Sequence, residues 1–212
     1  MWILIALAIL GTAFAGFVIY ESYQASHMLV KKPAIYLYPI EDSFVNVHLG
    51  INGKIIKDIP KYKNGWNVFV TKDGLIENKY DYLFYEVQLR KIVVPNSGWV
   101  VKYDDLENWF DVNLIKLGLN EKEKNQFKEY WLEELPKSNY YEIKLFEESF
   151  LKKNMDLIIF PQPDTIIRLN FYFKPLDKEV DIQETTITTP EREGFTVVEW
   201  GGVLDNLALP LN

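Results

Sequence analysis

The feature that most restricts this chain stands at its start: Trp2 to Tyr20 is a run of 19 residues, WILIALAILGTAFAGFVIY, without a charged side chain. At a rise of about 1.5 Å per residue, a helix of that length crosses a hydrocarbon core roughly 30 Å thick. Lipid offers the backbone no hydrogen-bond partner, so the run predicts one transmembrane helix over residues 2–20, with the bilayer as its partner. Trp2, Tyr20 and Tyr23 bracket it, as suits aromatic residues at the two interfaces. Gly11 and Ala15 stand at a small-xxx-small spacing that lets a second helix approach. Two alternatives stay open. Ala13-Phe14-Ala15 matches the A-x-A pattern of a signal peptide cleaved after Ala15, although no basic residue precedes the run and apolar residues continue past the site. A buried helix of a soluble protein is the other, but the run has no polar face. Lys31 and Lys32 lie beyond the run and no cation precedes it, which taken alone places the C-terminal bulk of the chain on the cytoplasmic side.

The remaining chain is long enough for one domain with a true core. Hydrophobic residues make up 48% of the sequence and aromatic residues 15%, which excludes disorder for the bulk of it. The net charge is −7 and no long basic run occurs, so nucleic acid is not an expected partner. With no cysteine, disulfides, thiolate metal sites and cysteine nucleophiles are excluded. The two histidines, His27 and His48, stand far apart and in no HExxH setting, so no zinc site is expected. No cofactor motif is present: Asn52-Gly53-Lys54 is a turn signal rather than part of a phosphate loop.

Residues 21–32 are polar and mixed and read as a stalk, and Pro33 opens a single domain over 33–202. Ala34 to Tyr38 is a short β-prone run. From Phe44 to Ile51 apolar and polar residues alternate, which predicts a half-buried strand. Asn52-Gly53 predicts a two-residue hairpin that returns through Ile55-Ile56. Further strands are expected over Trp66–Thr71, Tyr80–Leu89 (a central one) and Gly98–Tyr103. The period then changes. Leu106, Trp109, Phe110, Leu114 and Leu117 follow helical spacing, with Asp104 and Glu107 as a capping box and Gly118 closing the helix. Asn120 caps a second helix running to about Leu135, with Phe127, Tyr130 and Trp131 on its buried stripe and Pro136 stopping it. Strand character returns at Tyr140–Phe146, Leu157–Phe160, Ile167–Phe173 (ended by Pro175) and Phe195–Trp200, with an exposed loop over 184–194 and a loose tail over 203–212. The expected fold is α+β: a mainly antiparallel sheet or sandwich with an inserted helical hairpin, behind one N-terminal transmembrane helix.

Glu199 is the most suggestive side chain, because it shares a strand face with Phe195 and Val197. A carboxylate on a core face needs a partner or a raised pKa. Glu86 shares a face with Tyr82 and Phe84 and poses the same question. On adjacent strands the two would form an acid and a base of the kind glycoside hydrolysis uses; the plainer reading pairs each with Arg168 or a lysine. Trp66, Trp99 and Trp200 are candidate stacking platforms for sugar rings, against the plainer reading that they are core. His48 reads as a surface residue, and Asp73, Asp104 and Asp105 as turn and cap residues rather than calcium ligands.

Three stretches carry a resemblance: Lys32-Pro-Ala-Ile-Tyr-Leu-Tyr-Pro39, Tyr82-Leu-Phe-Tyr-Glu86 and Glu193-Gly-Phe-Thr-Val-Val-Glu-Trp-Gly-Gly202. They resemble the KPxIYLYP, YLFWE and GFTVVEWGG landmarks of an uncharacterised family of bacterial membrane-anchored envelope proteins, with Tyr85 where that family has tryptophan. The resemblance covers residues 32–202 and implies an envelope setting, with the domain outside the membrane, and no reaction. The function expected is that of a membrane-tethered, non-enzymatic binding or structural module whose partner is an envelope polysaccharide or protein. The alternative is a carboxylate-dependent hydrolase of envelope glycans.

Overall fold

The computed structural model describes residues 29–205. The apolar run 2–20, the cleavage position at Ala15, residues 21–28 of the stalk and residues 206–212 of the tail lie outside them. Among the described residues no helix is long and apolar enough to cross a membrane.

The fold is α+β in three layers. The middle layer is an eight-stranded sheet in the order β10-β6-β7-β9-β11-β1-β5-β3. In chain order its strands are β1 (Leu29–Tyr38), β3 (Gly53–Ile59), β5 (Leu83–Leu89), β6 (Ser97–Lys102), β7 (Tyr140–Leu145), β9 (Thr165–Leu176), β10 (Gln183–Glu184) and β11 (Thr196–Leu204). One face carries a helical hairpin of α1 (Leu106–Lys116) and α2 (Glu121–Glu134). The other face carries a smaller sheet, β4-β2-β8, made of β2 (Ser43–Ile51), β4 (Trp66–Val70) and β8 (Met155–Phe160). A short helix, α3 (Glu148–Asn154), leads from β7 into β8.

Two cores result from this layering. Phe110, Phe127, Trp131, Phe171, Phe173, Tyr36 and Trp200 pack between the hairpin and the large sheet. Ile35, Leu37, Val45, Val47, Trp66, Tyr85 and Val197 pack between the two sheets. A strand covered on both faces is apolar without alternation, and every residue of β11 is buried. β2 has only one covered face, so Val45 and Val47 are buried while Phe44 and His48 are exposed.

Several expectations change here. The Asn52-Gly53 turn does not return β3 onto β2. It is a corner at which the chain leaves the small sheet for the large one, where Gly53 pairs with Leu89 of β5. Gly53 is needed for closeness rather than for a positive φ: a Cβ there would lie 2.1 Å from the Gln88 carbonyl oxygen. The large sheet is mixed, because β11 runs parallel to β9 and β10 parallel to β6. β5 lies one strand from the edge rather than at the centre. Pro175 sits inside β9, opposite Tyr141 of β7. The first strand begins at Leu29, so the last four residues of the expected stalk belong to it, and β11 takes Val203 and Leu204 from the expected tail. Asp104 lies in a 3-10 turn over Tyr103–Asp105, and α1 starts without a side-chain cap. The helix α3 carries no signal that pattern reading detects, being seven residues long.

The second cap forms as its residues predict. The Asn120 side chain accepts from the Glu123 amide at 2.9 Å, and the Asn120 amide donates to Glu123 Oε2 at 2.8 Å, a complete capping box. Gly118 closes α1 with φ +100°, where the Leu119 amide bonds the Leu114 carbonyl.

Candidate functional site

Glu199 is fully buried, on the face of β11 that meets the small sheet. Its register partner on β9 is Arg168. The Arg168 Nε and Nη2 groups both lie 2.8 Å from Glu199 Oε2, and Asn170 Nδ2 donates to the same oxygen at 3.0 Å. Tyr85 Oη donates to Oε1 at 2.7 Å. Arg168 Nη2 also donates to the Met155 carbonyl of β8 at 2.6 Å, which ties the two sheets together. Burial, and then the Glu199 charge, push the Tyr85 phenol well above its ordinary value, so it stays a donor. Burial works against the Arg168 charge; Glu199 more than offsets it, and the guanidinium sits above its ordinary value. This carboxylate meets no solvent, and the groups around it are the protein's own side chains, so no ligand reaches it in this arrangement.

Glu86 lies elsewhere. β1 separates its strand, β5, from β11. Its neighbours Tyr85 and Val87 face the small sheet, so Glu86 points to the helix side, opposite to Glu199. The two carboxylates therefore share neither a cleft nor adjacent strands, because the β1 ladder and the pleat set them apart.

The three tryptophans are walls of the cores. Trp200 is fully buried under α2, with its ring centroid 5.3 Å from that of Phe127. Trp66 is 3% exposed, packs edge-on to Tyr62, and donates from Nε1 to the Pro60 carbonyl at 2.7 Å. Trp99 is 7% exposed beside Trp109, with centroids 5.2 Å apart, at the rim of a cleft between β6 and α1. None of the three offers a free ring face of the size a sugar needs.

Glu86 instead borders a cleft of about 650 Å³ between α2 and the exposed end of the large sheet. The sequence marked Glu86, Tyr82 and Phe84 and the landmark that holds Lys32, but not that they meet in one cleft with Tyr130. Lys32 has φ +54° at a bulge that shifts the register of β1 against both of its neighbours. Pro33 comes next and has no amide proton to place in a ladder. The bulge turns the Lys32 ammonium into a box of rings: Nζ is 4.9 Å from the centroids of Tyr82 and Phe84 and 5.4 Å from that of Tyr130. It donates to Tyr82 Oη at 2.8 Å. Lys57 Nζ lies 5.1 Å from the Phe84 ring, and Lys79 Nζ 4.9 Å from the Tyr80 ring. Against Phe84, Tyr130 and Tyr80 these placements bring a cation to an aromatic ring, while at Tyr82 the ammonium meets the hydroxyl.

The acids of the cleft are mostly taken. Glu134 pairs with Lys31. Asp81 accepts from Lys122 at 2.6 Å and from Gln126 at 3.0 Å, and the Lys122 bond holds its carboxyl below the usual range. Glu86 stands opposite Lys57 in the β3–β5 ladder. Among the described residues, Lys32, Lys57 and Lys79 form no ion pair. The one signal that could have found the cleft was the set of stretches behind the resemblance: they lie on β1, β5 and β11, three neighbouring strands, and the first two meet at Lys32 and Tyr82.

Among the described residues no group of acids and histidines is placed to hold a metal ion. Comparison with known proteins finds no matching family model, no similar curated protein and no similar solved structure.

Proposed function

We propose that this chain is a membrane-tethered, non-enzymatic binding module of the bacterial cell envelope, and that its ligand is an anionic polysaccharide segment held in the cleft around Lys32. The observation that carries the reading is the Lys32 ammonium, boxed by Tyr82, Phe84 and Tyr130 and answered by no carboxylate among the described residues. A cation in a ring-walled cleft is partly desolvated, so an incoming carboxylate or phosphate meets it at a lower dielectric than on an open surface. Lys57 and Lys79 add to the positive lining of the same cleft, and its rings supply apolar contact for sugar faces. The residues 2–20 anchor the domain, and its place is outside the membrane.

Titration of the full-length protein in detergent with a polyuronate and with a neutral glucan tests the ligand. The polyuronate is expected to bind, more weakly as salt is raised, and Lys32→Met is expected to lose at least about tenfold in affinity, or 1.4 kcal/mol. Equal binding of both polymers, or no effect of Lys32→Met, would refute the assignment. Protease treatment of intact and lysed cells tests the location. Digestion of the domain in intact cells, once any outer barrier is made permeable, is expected; protection until the inner membrane is broken would place it on the other side.

A further inference from the structure

We propose that one end of the domain rests on the bilayer, with the loop Arg90–Asn96 as its apolar foot and a ring of cations against anionic phospholipid headgroups. This inference rests on the reading of residues 2–20 as a membrane anchor and is independent of the cleft.

The described chain begins at Leu29, which pairs with Gln88 near the end of β5. Two residues later Arg90 donates its amide to the Asn52 carbonyl at 3.1 Å, and the Asn52 amide bonds the Asn154 carbonyl at the end of α3 at 2.9 Å. The start of β1, the corner at Asn52, the end of α3 and the loop beyond β5 are thus joined at one end of the molecule. An anchor that precedes Leu29 by eight residues delivers the domain to the membrane with this end first, since even a fully extended link of that length spans only about 30 Å.

The surface at this end has the composition a headgroup layer selects. Val93 is 58% exposed and Val94 38%, side by side in the loop and with Pro95 next to them. A cleft of about 490 Å³ separates the two valines from Phe150 of α3. Lys91 and Lys153 line this cleft, Arg90 and Lys152 are their chain neighbours, and Lys54 stands opposite Gln88 beside the same corner; all five are exposed and none is in an ion pair with a described residue. Three carboxylates are close by: Glu147 lines the same cleft, Glu148 follows it at the start of α3, and Asp156 lies just beyond the end of α3, so the cations outnumber the acids five to three. In a chain whose net charge is −7, a cationic end around exposed valines is a local reversal. Apolar side chains that enter the interface, with lysines at headgroup level, are the two ingredients of peripheral membrane contact. Tethering raises the local lipid concentration, so individually weak contacts suffice.

The chain has no cysteine, so a single label can be placed at will. Full-length Val93→Cys and, at the opposite end, Ile40→Cys (73% exposed in the wild type) are each labelled with an environment-sensitive fluorophore and reconstituted in vesicles. The vesicles hold phosphatidylcholine with or without phosphatidylglycerol, and a quencher on the upper acyl chain. The label at position 93 is expected to be quenched several-fold more than that at position 40. The difference is expected to fall at least twofold without phosphatidylglycerol or in the Lys91→Glu/Lys153→Glu background. Equal quenching at both positions, in protein that floats with the vesicles, overturns the docking and leaves the anchor standing. Quenching at position 93 that ignores both lipid charge and the lysine changes overturns the headgroup contact. Full-length protein that does not float overturns the anchor reading, and the docking with it.

Discussion

Glu199→Ala is expected to lower the stability of the domain by about 3–5 kcal/mol, a large part of the roughly 5–15 kcal/mol that holds a domain folded. The substitution strands the Arg168 guanidinium between the two sheets without its counter-charge: Nε loses its acceptor, and Nη2 keeps only the Met155 carbonyl. Tyr85 and Asn170 lose theirs as well. Glu199→Gln keeps an oxygen for Tyr85 and is expected to cost less, though it too leaves the cation uncompensated. Arg168→Met combined with Glu199→Gln removes the buried charge altogether, so the double variant is expected to be more stable than the sum of the single changes implies. Urea denaturation of the four proteins, read as a double-mutant cycle, checks this; additive costs would show that the pair is not coupled. The same cluster crosses from β11 through β9 to the Met155 carbonyl of β8. Its loss is therefore expected to loosen the small sheet from the large one, visible as faster amide exchange in β8.

The second large effect is expected at Glu123. Its side chain is fully buried, and it holds two structures at once. It closes the capping box of α2, and it takes a bidentate contact from Arg192, at 2.8 Å from Nη1 and 3.0 Å from Nη2. Arg192 also donates to the Gly118 carbonyl and lies over the Tyr38 ring, with its guanidinium carbon 5.1 Å from the centroid. The segment before β11 is thereby pinned to the turn between the helices. Glu123→Ala is expected to cost about 3 kcal/mol, from a cap worth about 1 kcal/mol and a buried charge pair broken on one side. Thermal denaturation measures the loss, and hydrogen exchange over residues 185–194 is expected to rise with it. Glu123→Gln, which preserves the box, is expected to recover the cap's share and not the ion pair's. Equal losses for the two variants would mean that the ion pair alone matters.

These two glutamates show where reading along the chain stops. Glu199 is marked as a problem by its neighbours, since Phe195 and Val197 on the same face make burial legible. What answers it is not local: Arg168, Asn170 and Tyr85 arrive from β9 and β5, and β9 lies beside β11 only because the long segment between them crosses back in parallel. Glu123 reads locally as a favourable charge at a helix start. Its burial depends on Arg192, which sits in a stretch that looks like free loop. The cleft around Lys32 has the same character, because a bulge in β1 aims a lysine at rings from β5 and α2.

Signals that act within a few residues were legible. They include the period-two run of β2, the helical stripe of Phe110 and Leu114, the Asn120–Glu123 box and the left-handed close at Gly118. Each depends on dihedral preference or on which face of one element meets water, and both are properties of a short segment. Element types, the helical pair and the apolarity of residues 2–20 were therefore readable from the residues alone. Packing across the molecule settled the rest: which strand Gly53 joins, that the sheet is mixed, that Glu86 and Glu199 face opposite ways, and which charges are paired. Those choices compare contacts between residues far apart in the chain, each closed at an entropic cost and kept only where apolar faces are buried on both sides.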